Sequence, residues 1–233
     1  MHLVVLAGGL GTRLSTVFDE GPKALAPIMG RPFIFFLIDY WRLLGVEHIS
    51  FVCAHKSDQL IDAVTENYRE LRFNFLVEDN PAGTAHALKY ALKEFGGDFF
   101  ISNGDTLLTF DRGLNPHPKN STIYTCFADS DQDFGRIEVC SSSAKVTNFL
   151  GKSSDKTKMI NTGVMFISAF DASGILTQEP SPKDAEDMLW QYFKCSDEGI
   201  DYINVNGYFL DIGRPADYSR AQHEIPEILE KIQ

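Results

Sequence analysis

The feature that most constrains the fold of this chain is a short apolar run that ends abruptly in a glycine cluster. The run Leu3–Leu6 is followed by Ala7–Arg13, with the sequence AGGLGTR. This pattern predicts a buried strand that leads into a loop. Because glycine has no Cβ atom, such a loop can turn sharply and bring its N–H groups close to a phosphate. The pattern therefore predicts an oligophosphate-binding loop after the first strand.

Two cations accompany this loop. Arg13 supplies a planar fork of donors, and Lys23 supplies a compact positive charge just beyond it. We expect a helix to begin near Thr12, so that its N-terminal dipole faces the same anion. The alternative is that both cations are ordinary solvated side chains on a surface loop.

Apolar strand-like segments alternate with helix-like segments through the first half of the chain. Strands are predicted at Leu3–Leu6, Ile49–Cys53, Phe73–Val77 and Phe99–Ile101, with helices at Phe33–Leu44, Ser57–Tyr68 and His86–Phe95. Short joints between them imply βαβ units and a doubly wound, mostly parallel α/β sheet of Rossmann-like type. Ligands of such sheets bind beyond the carboxyl ends of the strands. From residue 123 onward, short strand-like segments separated by polar turns predict a small antiparallel elaboration.

Composition limits the partners of the chain. Its 21 Lys and Arg and 32 Asp and Glu give a net charge of −11, which argues against a nucleic-acid or anionic-membrane surface. The four cysteines are widely spaced and favour reduced thiols in a cytoplasmic protein. We see no secretion signal, and the apolar runs are too short to span a bilayer.

The glycine spacing separates this loop from two common phosphate-binding motifs. Glycines at 8, 9 and 11 do not fit G-x-G-x-x-G, and no Gly-Lys-Ser/Thr closes a P-loop. The segment resembles the opening of the sugar-1-phosphate nucleotidylyltransferases, the NDP-sugar pyrophosphorylases. The motifs that carry the resemblance are LAGGxGTRL over Leu6–Leu14, Pro22-Lys23, Leu25, Pro27 and the turn Gly30-Arg31-Pro32. Together with G-T-A-x-A, S-N-G-D-T and F-L-D-I-G-R-P-A-D-Y, they are most similar to the guanylyltransferases of D-glycero-D-manno-heptose 1-phosphate.

The resemblance implies a reaction and a set of residues. The reaction joins a nucleoside triphosphate and a sugar 1-phosphate into an NDP-sugar and pyrophosphate, without a protein nucleophile. Arg13 and Lys23 are the implied catalytic cations. The implied nucleotide-binding residues are Leu6, Ala7, Gly8, Gly9, Gly11, Thr12, Glu78, Pro81, Gly83, Thr84 and Asn103.

Two aspartates follow apolar runs and are candidate metal ligands. Asp105 comes after Phe-Phe-Ile-Ser-Asn-Gly, and Asp211 comes after Tyr-Phe-Leu. Carboxylates at strand ends suit Mg²⁺, for which Mn²⁺ can substitute. Each aspartate taken alone is more commonly a turn residue or a cap. The resemblance implies that both bind the metal.

The sugar-phosphate site follows the family pattern with one departure. The resemblance implies roles for Gly135, Lys152, Asn161 and Thr162. The family shows F-x-E-K-P around Lys152, whereas this chain has Gly151 and Ser153 in place of the glutamate and the proline. Lys152 also has lysine neighbours, so the alternative is one solvated lysine among several.

The resemblance also implies a division of the chain. We expect one domain over residues 1–233, with a nucleotide-binding half at about 1–122 and a sugar-binding elaboration at about 123–210. A C-terminal helix is expected at about 216–232, with Pro226 kinking or dividing it.

Glu78 carries the prediction of the nucleobase. It ends the third strand, where thymidylyl-transferring relatives commonly have glutamine. An ionised carboxylate can only accept hydrogen bonds, and guanine offers adjacent N1–H and N2–H₂ donors. The sequence therefore favours GTP, with the alternative that Glu78 turns into solvent at the strand end.

Other function classes stay open. They are a uridylyl- or thymidylyl-transferring enzyme of the same family, a catalytically silent paralogue that binds nucleotide sugars and regulates a partner, and a nicotinamide-dependent oxidoreductase, which the glycine spacing disfavours. A heptose guanylyltransferase would serve a bacterial surface-glycan pathway from the cytoplasm. Whether the protein forms a homodimer is left open.

Overall fold

The computed structural model describes residues 1–9, 11–54, 56–80, 82–96, 98–111, 117–128, 134–150, 157–177, 184–194 and 199–232. The strands, in chain order, are β1 (His2–Leu6), β2 (Pro27–Ile28), β3 (Arg31–Pro32), β4 (His48–Cys53), β5 (Arg72–Val77), β6 (Phe99–Asn103), β7 (Thr106–Leu108), β8 (Thr122–Phe127), β9 (Arg136–Cys140), β10 (Lys145–Leu150), β11 (Met159–Ile167), β12 (Asp201–Asn204) and β13 (Phe209–Asp211). The α-helices are α1 (Phe33–Leu43), α2 (Ser57–Asn67), α3 (Thr84–Phe95), α4 (Ala169–Leu176), α5 (Ala185–Phe193) and α6 (Pro215–Ile232).

The chain divides into two compact units. The first comprises Met1–Pro81, Ser102–Thr109 and Tyr208–Gln233, and the second comprises Ala82–Ile101 and Phe110–Gly207. The prediction that residues 1–233 form a single domain stays a prediction.

Three parallel strands, in the order β5–β4–β1, form the larger sheet of the first unit. Leu3, Val4 and Val5 of β1 are fully buried, as expected for a strand covered on both faces. Helix α1 is apolar nearly all round and buries most of its side chains. It ends before Gly45, whose φ of +88° is the left-handed conformation that glycine adopts readily. These elements confirm the strands and the buried helix predicted for this part of the chain.

Two small antiparallel ribbons complete the first unit. Strands β2 and β3 pair through Pro27 opposite Pro32, and β7 and β13 pair through Leu107 opposite Leu210. A single 3₁₀ turn, Lys23–Leu25, precedes the β2–β3 ribbon. These short elements position the candidate site.

The second unit contains a mixed sheet in the order β6–β11–β8–β12–β10–β9, to which β6 contributes Phe99–Ile101. Strands β12 and β8 run parallel, and the other pairs along this order are antiparallel. All nine residues of β11 are buried, and the strand pairs with β6 on one edge and with β8 on the other.

The predicted α/β fold class is confirmed. The antiparallel part is more extensive than expected because β6, predicted within the parallel sheet, pairs antiparallel with β11, with Phe100 opposite Phe166. None of the helices in the described ranges is both long and apolar enough to cross a membrane.

One local expectation is wrong. No helix begins near Thr12: the following residues form successive turns, with Leu14 N–H donating to Gly11 at 2.9 Å and Val17 N–H donating to Leu14 at 2.9 Å. Ser15 N–H and Phe18 N–H make single helix-type bonds to Gly11 and Leu14, but the Ser15 hydroxyl donates to the carbonyl of Thr12 at 2.8 Å, which a continuing helix would use for the N–H of residue 16. The expected C-terminal helix is confirmed as α6, which runs for 18 residues without a division at position 226, and a kink there stays a prediction.

A pair of stacked histidines at the amino ends of β1 and β4 predicts a pH-dependent stability. The rings of His2 and His48 are 4.2 Å apart. Burial, and then the charge of His48, lowers the pKa of His2 to about 4, whereas an unfolded histidine has a pKa of about 6.5. Above pH 6.5 neither state is protonated. As the pH falls from 6.5 to 4 the unfolded state binds the proton first, so stability is lost over that window.

The free energy of unfolding should therefore fall between pH 7.5 and pH 5.0. We expect His2→Gln to make this fall smaller by about 1–2 kcal/mol after allowance for solvent screening. Urea unfolding at pH 7.5 and pH 5.0 measures it, with His223→Gln on the exposed side of α6 as the matched control. Equal pH dependence in wild type and His2→Gln would contradict the prediction.

Candidate active site

The glycine loop begins where β1 ends. Ala7 N–H donates to the carbonyl of Val52 at 2.7 Å, and Gly104 N–H donates to the carbonyl of Leu6 at 2.9 Å. A Cβ atom on Gly104 would lie 3.2 Å from the Cβ of Ala7 and 3.3 Å from the oxygen of Leu6. This approach is tight for any residue that has a side chain. The glycine therefore brings Asp105 beside the loop.

Asp105 and Asp211, the predicted metal ligands, are brought together by the β7–β13 ribbon. Asp211 lies opposite Thr106, and Ile212 N–H donates to the carbonyl of Asp105 at 2.9 Å. The Thr106 hydroxyl lies 3.4 Å from Asp105 Oδ1 and 3.3 Å from Asp211 Oδ2. Each carboxylate was expected at the end of a strand, and the two meet through a two-stranded antiparallel ribbon.

The ammonium group of Lys23 is shared by these two carboxylates. Lys23 Nζ donates to Asp105 Oδ2 and lies 4.0 Å from Asp211 Oδ1. The Lys23 side chain is 14% exposed, so the alternative of a solvated surface lysine is wrong for this residue. A Cβ atom on Gly213 would lie 2.7 Å from Lys23 Nζ and 2.5 Å from Asp211 Oδ1. The glycine at position 213 therefore leaves the room that this arrangement requires.

The electrostatics of this cluster favour a second cation. Burial, and then the charge of Asp105, raises the pKa of Asp211 to about 6, and Lys23 opposes that rise. Two carboxylates and one ammonium leave one negative charge uncompensated when all three are ionised. An additional cation would offset the repulsion between the carboxylates.

The residues fit Mg²⁺, which is usually bound by one or two carboxylates together with waters and substrate phosphates. In the part of the chain that the structure describes, no three His, Cys, Asp or Glu side chains form a metal-binding group. The pair Asp105 and Asp211 therefore suits a metal shared with a substrate rather than one enclosed by protein ligands.

Glu78 lies against the same loop. Its N–H donates to the carbonyl of Cys53 at 2.8 Å, which extends the pairing of β5 and β4 by one residue. Glu78 is only 7% exposed, so the alternative that it turns into solvent is wrong. A Cβ atom on Gly8 would lie 3.2 Å from Glu78 Oε2. The carboxylate therefore approaches the glycine loop closely.

The other loop residues differ in their surroundings. Thr12 and Arg13 are exposed, and a Cβ atom on Gly9 would meet nothing within 4 Å. Gly11 has a φ of +64°, a conformation that residues with side chains rarely adopt. The loop is thus open to a ligand at Gly9 and Arg13. Asn103, the last residue of β6, also belongs to the first unit.

Several predicted residues belong to the second unit. Gly83 precedes α3, and Thr84 begins it, accepting a hydrogen bond from Ala185 N–H at 2.9 Å. The carbonyl of Gly135 accepts from Asn161 N–H at 2.9 Å. The predicted roles of Gly83, Thr84 and Gly135 stay predictions. Pro81 and Lys152 lie outside the described residues, as do Gly151 and Ser153, where the sequence departs from the family pattern.

Asn161 and Thr162 form an irregularity in β11 opposite β8. Thr162 is buried; its hydroxyl donates to the carbonyl of Tyr124 at 2.7 Å and lies 3.3 Å from the N–H of Val164. Asn161 Oδ1 accepts from Gly163 N–H at 3.0 Å. Both side chains thus support the backbone of the irregular segment, and their contact with a sugar stays a prediction.

Thr106 and Gly213 also belong to the cluster, although neither was predicted from the sequence. Each stands inside a motif that was recognised, S-N-G-D-T and D-I-G-R-P, immediately after or two residues after a candidate metal ligand. The glycine two residues beyond Asp211 was the available signal for a close approach.

Comparison with known proteins finds relatives that match nearly the whole chain. Over 94% of its length the chain is 27% identical to D-glycero-alpha-D-manno-heptose 1-phosphate guanylyltransferase of Campylobacter jejuni, covering 97% of that protein. It is 28% identical to the enzyme of the same name from Aneurinibacillus thermoaerophilus, with 97% of this chain and 98% of that protein covered. The structure of HddC from Yersinia pseudotuberculosis complexed with GMP-PN superposes with a TM-score of 0.75 at 28% identity, covering 100% of this chain and 99% of that one.

The family match covers nearly the whole chain. Residues 2–228 match the nucleotidyl transferase family. This match and the two guanylyltransferase relatives confirm the resemblance on which the sequence analysis relied. The chain therefore belongs to the nucleotidyl transferase family, and its predicted class, an enzyme that transfers nucleotidyl groups, is confirmed.

Proposed function

We propose that this protein is a guanylyltransferase that joins GTP and a manno-configured sugar 1-phosphate, of the heptose or hexose type, into a GDP-sugar and pyrophosphate. The observation that carries the transfer reaction is Lys23, held between Asp105 and Asp211. The two relatives named for D-glycero-alpha-D-manno-heptose 1-phosphate support the sugar class, and GMP-PN in the HddC complex supports the guanine nucleotide. We propose a cytoplasmic enzyme of bacterial surface-glycan synthesis.

In the proposed reaction, a phosphate oxygen of the sugar 1-phosphate attacks the α-phosphorus of GTP. A new P–O bond forms in line with the P–O bond that breaks, and pyrophosphate leaves with its electron pair. Lys23 and Arg13 offset the negative charge that develops on the phosphates, and the N–H groups of the glycine loop orient them. Asp105 and Asp211 would hold Mg²⁺, which polarises the phosphate oxygens when bound. The roles of Gly135, Lys152, Asn161 and Thr162 toward the sugar remain proposals from the resemblance.

Glu78 supports the proposed preference for guanine. Its carboxylate is buried beside Gly8 and can accept from both donors on the Watson–Crick edge of guanine. Uracil and thymine offer one donor, N3–H, flanked by two carbonyl oxygens. These oxygens would repel the carboxylate of Glu78. An unmatched buried polar group costs about 1–3 kcal/mol, which corresponds to roughly tenfold to a hundredfold in selectivity.

We therefore expect wild-type kcat/KM for GTP to exceed the values for UTP and dTTP by that factor. Glu78→Gln should erode the preference, because an amide can both donate and accept. Pyrophosphate release, measured with four nucleoside triphosphates against a panel of sugar 1-phosphates, tests both statements. Glu47→Gln, an exposed glutamate at the opposite end of the strands, is the matched control.

The same measurement, made with every pair of nucleoside triphosphate and sugar 1-phosphate, separates the alternative functions. A wild-type preference for UTP or dTTP would contradict the guanylyl proposal and leave a nucleotidylyltransferase for another base. No pyrophosphate release with any pair, combined with nucleotide-sugar binding, would instead favour the silent regulatory paralogue.

A further inference from the structure

The loop that carries Lys23 is tied to helix α6 by hydrogen bonds that belong to no recognised catalytic role. The carbonyl of Pro27, four residues after Lys23, accepts from the Tyr218 hydroxyl at 2.7 Å and from Gln222 Nε2 at 2.9 Å. Gln222 Oε1 accepts from Met29 N–H at 2.8 Å. Tyr218 and Gln222 are one helical turn apart, so they share a face of α6.

These bonds add to the anchoring of a segment whose regular pairing is short, although Ala26 and Ile28 within it are buried. Strands β2 and β3 have two residues each, and the turn between them places Met29 at a φ of +49° and Gly30 at +80°. Met29 is 69% exposed. Within the segment, Ala26 N–H donates to the carbonyl of Lys23 at 3.0 Å. A displacement of the β2–β3 ribbon would therefore be passed to the backbone of Lys23.

Helix α6 also begins close to the other side of the charged cluster. It starts at Pro215, four residues after Asp211, and Arg214 Nε donates to Asp217 Oδ2 at 2.6 Å in its first turn. Asp211 is therefore connected to Tyr218 through the start of α6, and Tyr218 is hydrogen-bonded to Pro27, which lies four residues after Lys23. Lys23 in turn forms ion pairs with Asp105 and Asp211. A rigid helix therefore fixes both sides of the Lys23–Asp211 contact.

We propose that Tyr218 and Gln222 are positioning residues that act through Lys23, holding its ammonium group against Asp105 and Asp211. As a statement about catalysis this rests on the proposed function. The glutamine is suited to the task because its amide accepts from Met29 N–H and donates to the Pro27 carbonyl at once. In Gln222→Glu, the ionised carboxylate has no hydrogen to donate to the carbonyl of Pro27, so that hydrogen bond would be lost.

The first test measures Lys23 directly and needs no activity. Reductive methylation of the full-length protein, quantified by mass spectrometry at the Lys23 peptide, reports how well the ammonium group is held. We expect Tyr218→Phe and Gln222→Glu each to raise the methylation rate at Lys23 severalfold. Tyr208→Phe is the matched control. It removes the 2.7 Å hydrogen bond that the Tyr208 hydroxyl donates to Glu224 of α6, and Tyr208 does not bond to the Lys23 segment in the described contacts. Unchanged methylation in both test variants would overturn the proposal.

The second test separates positioning from general stability. Misplacement of a catalytic group by about 1 Å can cost up to a hundredfold in rate, so we expect each test variant to lower kcat about tenfold with little change in KM for the nucleotide. In a Lys23→Ala background, the same substitutions should have no further effect on kcat. Additive losses would overturn the proposal. If methylation rises while wild type transfers no nucleotidyl group with any substrate pair, the positioning stands and the proposed function fails.

Discussion

Replacing Lys23 with alanine is expected to lower kcat by about 10²–10³, because it removes a donor aimed at developing negative charge. The Lys23 side chain is 14% exposed, and its ammonium group contacts both Asp105 and Asp211. Arg13→Ala should lower kcat on the same order. Arg13 is exposed in the loop, so its loss removes charge next to the ligand rather than packing. Pyrophosphate release at saturating substrates measures both effects.

The control for this prediction is a second lysine–aspartate ion pair, whose lysine side chain is 29% exposed. Lys145 Nζ lies 2.6 Å from Asp201 Oδ1, and neither residue belongs to the candidate site. Lys145→Ala should therefore leave kcat unchanged. Turnover near the wild-type value in Lys23→Ala or Arg13→Ala would remove that residue from the catalytic group.

The fold was predictable from the sequence because its signals are local. The apolar runs of β1, β4 and β5 and the helices between them were identified within a few residues. The order β5–β4–β1 follows from short parallel connections. Contacts made by glycine were less visible. Gly104 and Gly213 stand within recognised motifs, but the atoms that approach them come from Leu6, Ala7 and Lys23, and long-range contacts of this kind leave no periodic pattern in a sequence.

The candidate site was only partly predictable. Lys23, Asp105 and Asp211 were named from motifs, and they do meet. The ribbon that joins them consists of strands of three residues each, which are too short for period-two alternation to be recognised. The expected helix near Thr12 failed for a related reason. Glycines and cations also occur in turns, and the Ser15 hydroxyl takes the Thr12 carbonyl that a continuing helix would use.

Removing the metal is expected to abolish activity, and neutralising either carboxylate is expected to weaken metal use. EDTA should reduce pyrophosphate release to background, and Mg²⁺ or Mn²⁺ should restore it, because both are hard cations suited to carboxylate and phosphate oxygens. Asp105→Asn and Asp211→Asn keep the size of the side chain but lose its charge. We expect kcat to fall by about 10²–10³, and the Mg²⁺ concentration for half-maximal turnover to rise at least about tenfold.

The two substitutions also change the surroundings of Lys23, so the Mg²⁺ titration is the decisive measurement. If a substitution removes only the ion pair with Lys23, kcat should fall while the Mg²⁺ concentration for half-maximal turnover (the Mg²⁺ midpoint) stays the same. If it removes a metal ligand, both should change. Asp201→Asn, which removes the charge opposite Lys145, is the matched control and should change neither. A lowered kcat with an unchanged Mg²⁺ midpoint in Asp211→Asn would make Asp211 a partner that holds Lys23, and Asp105 would be left as the metal ligand of the pair.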